Sequence, residues 1–231
     1  MRRKMLTLTL VLAACSMLAG QALAAPLLAV DFGRVIDGNP TPVQPGFNGM
    51  AGSPVEPSRT EPFGAYTVTV TGEGFYSAGF NAGNVPAGIA ALYEDYYYHN
   101  SAENGVGITV SIAGVTPNTD YDVTLWSYDE DNIFSATPTA WGPTGTTTGT
   151  SGSVVNLATP FPTTLTEYNT TIRVRSTTGT LDIFGTTTGG SGGTRINGFE
   201  VNAVPEPSSL VLLGVGAVLV CGAHRAAGRR R

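Results

Sequence analysis

The sequence predicts an all-β protein, a single antiparallel β-sandwich, and three observations lead to that prediction. Apolar and polar residues alternate with a period of two in several short runs, which is typical of half-buried strands. Clusters of Thr, Gly, Ser and Pro separate these runs. No stretch of the body carries sustained apolar residues at helical spacing. We therefore expect one sandwich domain over residues 25–203, flanked by two terminal segments of different character.

The N-terminal segment predicts export. Residues 2–4 are basic, residues 5–18 are largely apolar, and Ala22-Leu23-Ala24 supplies small residues at the spacing that signal peptidase accepts. A signal peptide over residues 1–24 follows, with signal peptidase as the partner. The alternative is lipidation, because residues 12–15 resemble a lipobox that ends at Cys15.

The strands follow in chain order through the body. Tyr66–Thr71 places Tyr66, Val68 and Val70 on one face and three threonines on the other, and Val106–Ile112 repeats this alternation. The other strands are expected at Leu27–Phe32, Tyr121–Tyr128, Thr170–Ser176, Thr180–Phe184 and Arg195–Val201, with a modest strand at Ser153–Leu157. Turn residues in Gly114–Asp120 predict a hairpin between Val106–Ile112 and Tyr121–Tyr128.

Charge and cysteine content exclude several function classes. Between the terminal segments, five arginines stand against 16 of the chain's 17 carboxylates, a formal charge of −11. A domain this acidic repels a phosphate backbone, so we expect no nucleic-acid partner. Cys15 and Cys221 lie in the terminal segments, which excludes disulfides, thiolate metal sites and a cysteine nucleophile from the body. His99 is the one histidine of the body.

A candidate ligand platform lies at the end of one predicted strand. If Val123 and Leu125 face the core, alternation exposes Trp126 and Tyr128, next to Asp129 and Asp131. Aromatic faces beside carboxylates suit sugar rings. Burial is favoured over the platform, because large aromatic side chains are usually covered and the long segment 137–166 is available to cover them.

Acidic clusters raise two further hypotheses. Glu94, Asp95 and Glu103 form one cluster and residues 129–131 form another, but neither has regular calcium-loop spacing. Solvated loops are favoured, so no cofactor is expected and a structural calcium ion is the alternative. Paired carboxylates such as Asp129 or Asp131 would also serve a hydrolase. Arg173 and Arg175 alternate with apolar residues, which predicts outward side chains in ion pairs.

The C-terminal segment combines three features. Pro205-Glu206-Pro207 precedes an apolar run, Leu210–Ala223, and the chain ends on four basic residues, Arg225, Arg229, Arg230 and Arg231. A helix over this run would be about 21 Å long, short of a hydrocarbon core of about 30 Å. We expect a marginal transmembrane segment at about residues 208–223. The arginines place its end on the cytoplasmic side.

This arrangement closely resembles the PEP-CTERM sorting signal, whose tail is also labelled ice-binding protein C-terminal domain. The resemblance assigns residues 204–231 to the signal. It implies recognition near Pro205-Glu206-Pro207 by an exosortase-type membrane protease, often in bacteria that make exopolysaccharide. The label implies no ice binding. A permanent membrane anchor is the alternative to cleavage.

The body resembles galactose-binding-like and malectin-like jelly rolls in three stretches, ITVSIAGVTPNTDYDVTLWSYDED, TIRVRSTTGTLDIFG and TRINGFEV. Such folds host many functions, so the resemblance favours a jelly-roll-like sandwich and identifies no ligand.

We expect an exported, non-enzymatic protein that passes through the inner membrane to the cell envelope or extracellular matrix. Binding to exopolysaccharide is a secondary expectation. The alternatives are a carbohydrate-active hydrolase of the cell surface and a purely structural matrix protein.

Overall fold

The computed structural model describes residues 25–77, 85–99, 107–128, 139–143, 161–187 and 193–204. Fourteen strands and one short helix lie within these ranges, so the prediction of an all-β protein is confirmed. The strands are β1 Leu28–Ile36, β2 Asn39–Pro40, β3 Asn48–Gly52, β4 Ser58–Phe63, β5 Tyr66–Thr71, β6 Gly74–Ser77, β7 Asp95–His99, β8 Gly107–Ala113, β9 Thr119–Trp126, β10 Thr139–Pro143, β11 Asn169–Ser176, β12 Thr180–Thr187, β13 Thr194–Ile196 and β14 Gly198–Ala203, and the helix is α1 Ala90–Glu94.

The strands form three sheets. The first sheet has the order β11-β9-β14-β1-β2, with β3 beside β1, and the second has the order β10-β12-β8-β5-β4. A smaller third sheet has the order β13-β7-β6. The strand pairs are antiparallel except β1 with β3, which run parallel from Val30 and Asn48 onward. The first and last strands predicted from the sequence are therefore neighbours in the first sheet, because β1 pairs with β14.

One hydrophobic core joins the first two sheets. Val123 and Leu125 of β9 belong to the same buried cluster as Ile108 and Val110 of β8. Phe32 links this core to the third sheet, because its ring centre lies 6.2 Å from that of Tyr97 and 6.0 Å from that of Phe199. Alternation along each strand thus produces a two-sheet sandwich that the third sheet closes at one side.

The predicted hairpin between β8 and β9 is wrong. Strand β8 pairs with β5 and β12, whereas β9 pairs with β11 and β14 in the other sheet. Both strands bury one apolar face, and these faces meet across the core instead of lying side by side. The Tyr121 hydroxyl accepts the backbone N–H of Thr116 at 2.8 Å, which holds the crossing connection in place.

Several strand ends differ from the prediction: β9 runs from Thr119 to Trp126, and β12 continues past Phe184 to Thr187. β1 continues from Phe32 to Ile36, and the predicted strand Arg195–Val201 is two strands separated by Asn197. The predicted strand at Ser153–Leu157 lies outside the described residues.

Candidate functional site

The predicted aromatic platform is buried. Trp126 is 4% exposed and Tyr128 is fully buried, so the expectation that both lie on an exposed face is wrong. The Trp126 indole Nε1 donates to the carbonyl of Leu165 at 2.8 Å, and Phe47 packs edge-on at 5.7 Å. Trp126 and Tyr128 form a second hydrophobic cluster with Leu92 and Tyr93, and Phe161, Leu165 and Tyr168 pack against it. Part of the long segment 137–166 therefore covers this face through Phe161 and Leu165, as the burial hypothesis expected.

The rest of that outer face carries ion pairs. Arg173 binds Asp122 through its Nε at 2.8 Å, and Arg175 binds Asp120 through its Nη1 at 3.1 Å. The prediction of outward arginines in ion pairs is confirmed. Asp129 and Asp131, the other platform candidates and the candidate hydrolase carboxylates, lie outside the described residues.

A different aromatic surface forms on the third sheet. Tyr97 points into the core, and its ring centre lies 4.8 Å from that of Phe75. Tyr96 and Tyr98 therefore lie on the opposite side of β7. Tyr76 pairs directly with Tyr96 across β6 and β7, with ring centres 5.5 Å apart, and lies 6.0 Å from Tyr98. The alternation of three successive tyrosines thus builds a ring cluster on the other side of the third sheet, in which Tyr96 is 4% exposed and Tyr76 is the exposed ring.

Two arginines flank these rings. The Arg34 guanidinium carbon lies 5.9 Å from the centre of the Tyr76 ring, and that of Arg195 lies 5.6 Å from the centre of the Tyr96 ring. Such cation–π contacts hold a guanidinium over an aromatic face. We call Arg34, Tyr76, Tyr96, Tyr98 and Arg195 the tyrosine–arginine face. Four separate parts of the chain contribute to it, so no local sequence motif predicts it.

A buried carboxyl group lies on the first sheet. Asp31 is 2% exposed, and its Oδ2 accepts the backbone N–H of Gln44 at 2.7 Å. Burial raises the pKa of Asp31 from 3.8 to about 8, the Gln44 hydrogen bond opposes this shift, and the charges of Asp95 and Glu94 add to it. Asp31 also lines a cavity of about 250 Å³ beneath the loop of Thr41 and its neighbours. Its depth makes Asp31 a structural group of the sandwich.

The metal hypothesis receives no geometric support from the described part of the chain. Within those ranges, no three His, Cys, Asp or Glu side chains are grouped to hold a metal ion. Asp95 is buried at the start of β7, and Glu94 lies at the end of α1. Glu103 and residues 129–131 lie outside the described residues.

The predicted sorting residues also lie outside the described residues. Pro205, Glu206, Pro207 and the basic cluster of Arg225, Arg229, Arg230 and Arg231 fall in residues 205–231, as does the predicted transmembrane segment. Among the residues that are described, no helix has the length and apolar character needed to cross a membrane.

The described geometry defines an all-β sandwich with an aromatic surface, followed by a C-terminal tail. Residues 203–231 match the family model described as the PEP-CTERM protein-sorting motif. The tail assignment made from the triplet, apolar run and basic cluster is therefore confirmed. This motif implies an exported protein that passes through the membrane and is processed by an exosortase.

Comparisons of the whole chain add one structure. Protein YXIM from Bacillus subtilis is similar with a TM-score of 0.43 and 15% sequence identity, over 77% of this chain and 40% of that chain. No curated protein sequence matches the chain. The resemblance of the body to galactose-binding-like jelly rolls stays a prediction.

Proposed function

We propose that this chain is a non-enzymatic, exported β-sandwich protein that an exosortase-type protease sorts to the cell envelope or extracellular matrix. The match of residues 203–231 to the sorting motif carries this proposal. The prolines at positions 205 and 207 restrict the residues before them and disfavour helix formation, a sequence property that suits recognition by a membrane protease. The short apolar run holds the chain in the membrane only until cleavage.

The test is the mature C-terminus of the surface-located protein, read by mass spectrometry. We expect the wild-type protein to end near Pro205-Glu206-Pro207, without the four terminal arginines. Glu206→Gln should retain Arg231, because the altered triplet is no longer recognised. Asp37→Asn is the matched control, since Asp37 is an exposed turn residue with a φ of 52° that asparagine also adopts. An intact Arg231 on wild-type surface protein would contradict sorting by cleavage and favour a permanent anchor.

Polysaccharide binding is the second part of the proposal, and the tyrosine–arginine face supports it. Sugar rings stack on aromatic side chains while polar groups bind their hydroxyls. The hydrolase alternative predicts turnover of polysaccharides that carboxylate substitutions abolish. Asp31, a carboxyl whose pKa is raised to about 8, is buried beneath a loop, which favours the non-enzymatic proposal. Assays of dilute protein against polysaccharides distinguish the two.

A further inference from the structure

Arg34 differs from Arg59, Arg173 and Arg175 in its charge environment. Arg59 pairs with Glu56 and Glu61, and Arg173 and Arg175 each pair with an aspartate. The Arg34 guanidinium has no ion pair and no hydrogen bond among the described residues, although its Nε is buried. The domain has a formal charge of −11, yet Arg34 has no carboxylate partner among the described residues. The N–H groups of its guanidinium can therefore donate to a ligand.

The surface next to Arg34 is apolar and exposed. Tyr76 is 39% exposed, and Ile36, which lies two residues after Arg34 on the same face of β1, is 44% exposed. Tyr76 is the one aromatic residue among the large apolar side chains that are exposed in the described ranges. A ring that stays exposed beside a guanidinium offers apolar contact and hydrogen-bond donors in one place.

Hydrogen-bond acceptors on this face come from the tyrosine hydroxyls. The Tyr98 hydroxyl donates to the carbonyl of Pro54 at 3.3 Å, and its oxygen can still accept a hydrogen bond. Burial and the charge of Glu73, whose Oε1 lies 3.9 Å from Nδ1 of His99, raise the pKa of Tyr98. A ligand on this face therefore meets N–H donors from Arg34 and acceptor oxygens from the tyrosine hydroxyls.

The negative charge of the body favours neutral glycans over acidic ones. The acidic body repels polyuronates for the same reason that it repels nucleic acid, and Glu73 adds a local negative charge. A neutral polyhydroxyl chain uses both the donors and the acceptors, and its C–H faces contact the exposed Tyr76 ring. We infer that the tyrosine–arginine face binds a neutral polysaccharide, with Tyr76 as the stacking surface and Arg34 as the donor to adjacent hydroxyls. This inference rests on the polysaccharide-binding part of the proposed function.

The experiment measures binding of the full-length chain, in a detergent without a sugar headgroup, to immobilised glycans. Galactan, mannan and β-1,3-glucan serve as neutral probes, and alginate serves as the acidic probe. We expect binding to at least one neutral glycan, and Tyr76→Ala and Arg34→Gln should each weaken it by about tenfold. Tyr76→Phe should stay within about twofold of wild type, because the ring remains.

Arg173→Gln is the matched control, since Arg173 is an exposed arginine on the first sheet. It should leave binding unchanged, and thermal melting identifies any variant that fails to fold. Wild-type binding that Tyr76→Ala leaves unchanged overturns this face while polysaccharide binding stands. Tighter binding to alginate overturns the neutral class. Failure of the wild-type chain to bind any probe overturns both the face and polysaccharide binding, whereas sorting is judged separately from the mature C-terminus.

Discussion

At the scale of single residues, Asn197 connects several parts of the fold through its side chain and its backbone. It is fully buried, and its Oδ1 accepts the N–H of Tyr128 at 2.5 Å while its Nδ2 donates to the carbonyl of Asp95 at 2.8 Å. Its backbone bonds Trp126 and Phe32 at 2.9 and 2.8 Å. The residue thus ends β13, begins the approach to β14 and ties the first sheet to the third.

Asn197→Ala should destabilise the protein by about 2–4 kcal/mol, because it removes two hydrogen bonds to buried backbone groups. Urea unfolding followed by tryptophan fluorescence measures the change. Asn39→Ala is the control: its amide makes one long, exposed hydrogen bond of 3.4 Å, and its loss should cost less than about 0.5 kcal/mol. Equal effects of the two substitutions would show that the Asn197 network contributes little.

Asp31 gives the protein a pH dependence whose sign follows from its raised pKa. Between pH 3.8 and about 8, the unfolded chain loses this proton while the folded chain keeps it. Stability therefore falls as the pH rises through this range, by at most about 1.4 kcal/mol per pH unit from this group. Below and above the range, both states carry the same charge at Asp31 and its contribution is flat.

Asp31→Asn should reduce this slope, because the amide keeps an acceptor for the Gln44 N–H and cannot ionise. Denaturant midpoints measured at several pH values between 4 and 8 test the prediction. Asp122→Asn, at an exposed carboxylate on the outer face, should leave the slope in place. A wild-type protein that gains stability steadily up to pH 8 would contradict a protonated Asp31.

At the scale of elements, close approach between neighbouring strands decides which residues fit. Trp141 of β10 lies directly across from Gly185 of β12, and a Cβ added at Gly185 would lie 2.3 Å from the indole ring. Strand β12 also pairs with β8, so Gly185 has a strand on each side. A glycine at this position lets a buried tryptophan lie flat on the second sheet.

Gly185→Ala should cost about 1–3 kcal/mol, since the indole of Trp141 has to move within a packed core. Gly88→Ala is the matched control, because no atom lies within 4 Å of a Cβ at that position. The control should be neutral or slightly stabilising. Thermal melting and the near-ultraviolet circular dichroism of Trp141 read out the effect, and an unchanged spectrum and melting temperature for Gly185→Ala would refute it.

At the scale of the whole molecule, charge is distributed unevenly along the chain. The formal charge of the full chain is −5, whereas the body carries −11, because seven of the twelve basic residues lie in the terminal segments. Self-repulsion of the body opposes compaction, and salt screens it. The melting temperature should therefore rise between about 0.01 M and about 1 M NaCl at pH 7.

The control is the same salt series near pH 4, where carboxylates begin to protonate. The rise in melting temperature with salt should be smaller there. A melting temperature that falls with salt at pH 7 would show that the surface ion pairs outweigh the repulsion. A rise of equal size at both pH values would assign the effect to salt exclusion instead of charge screening.

The sequence by itself determined the features that depend on neighbouring residues. The alternation in Tyr66–Thr71 predicted β5 with its observed ends, and the order of triplet, apolar run and basic cluster predicted the sorting motif at residues 203–231. Arg173 and Arg175 were predicted in ion pairs because the body offers so many carboxylates. Each of these properties follows from local spacing or from composition.

Only the tertiary structure decided which surface covers which. Alternation shows that β8 and β9 each bury one face, but it does not distinguish a hairpin from a crossing between sheets. Alternation placed the side chains of Trp126 and Leu125 on opposite faces of β9 and so predicted an exposed indole. The segment around Leu165, about 40 positions further along the chain, buries that indole instead. The tyrosine–arginine face likewise joins residues 34, 76, 96–98 and 195. Long-range packing sets these outcomes, because a periodic pattern reports that a face is covered and carries no information on what covers it.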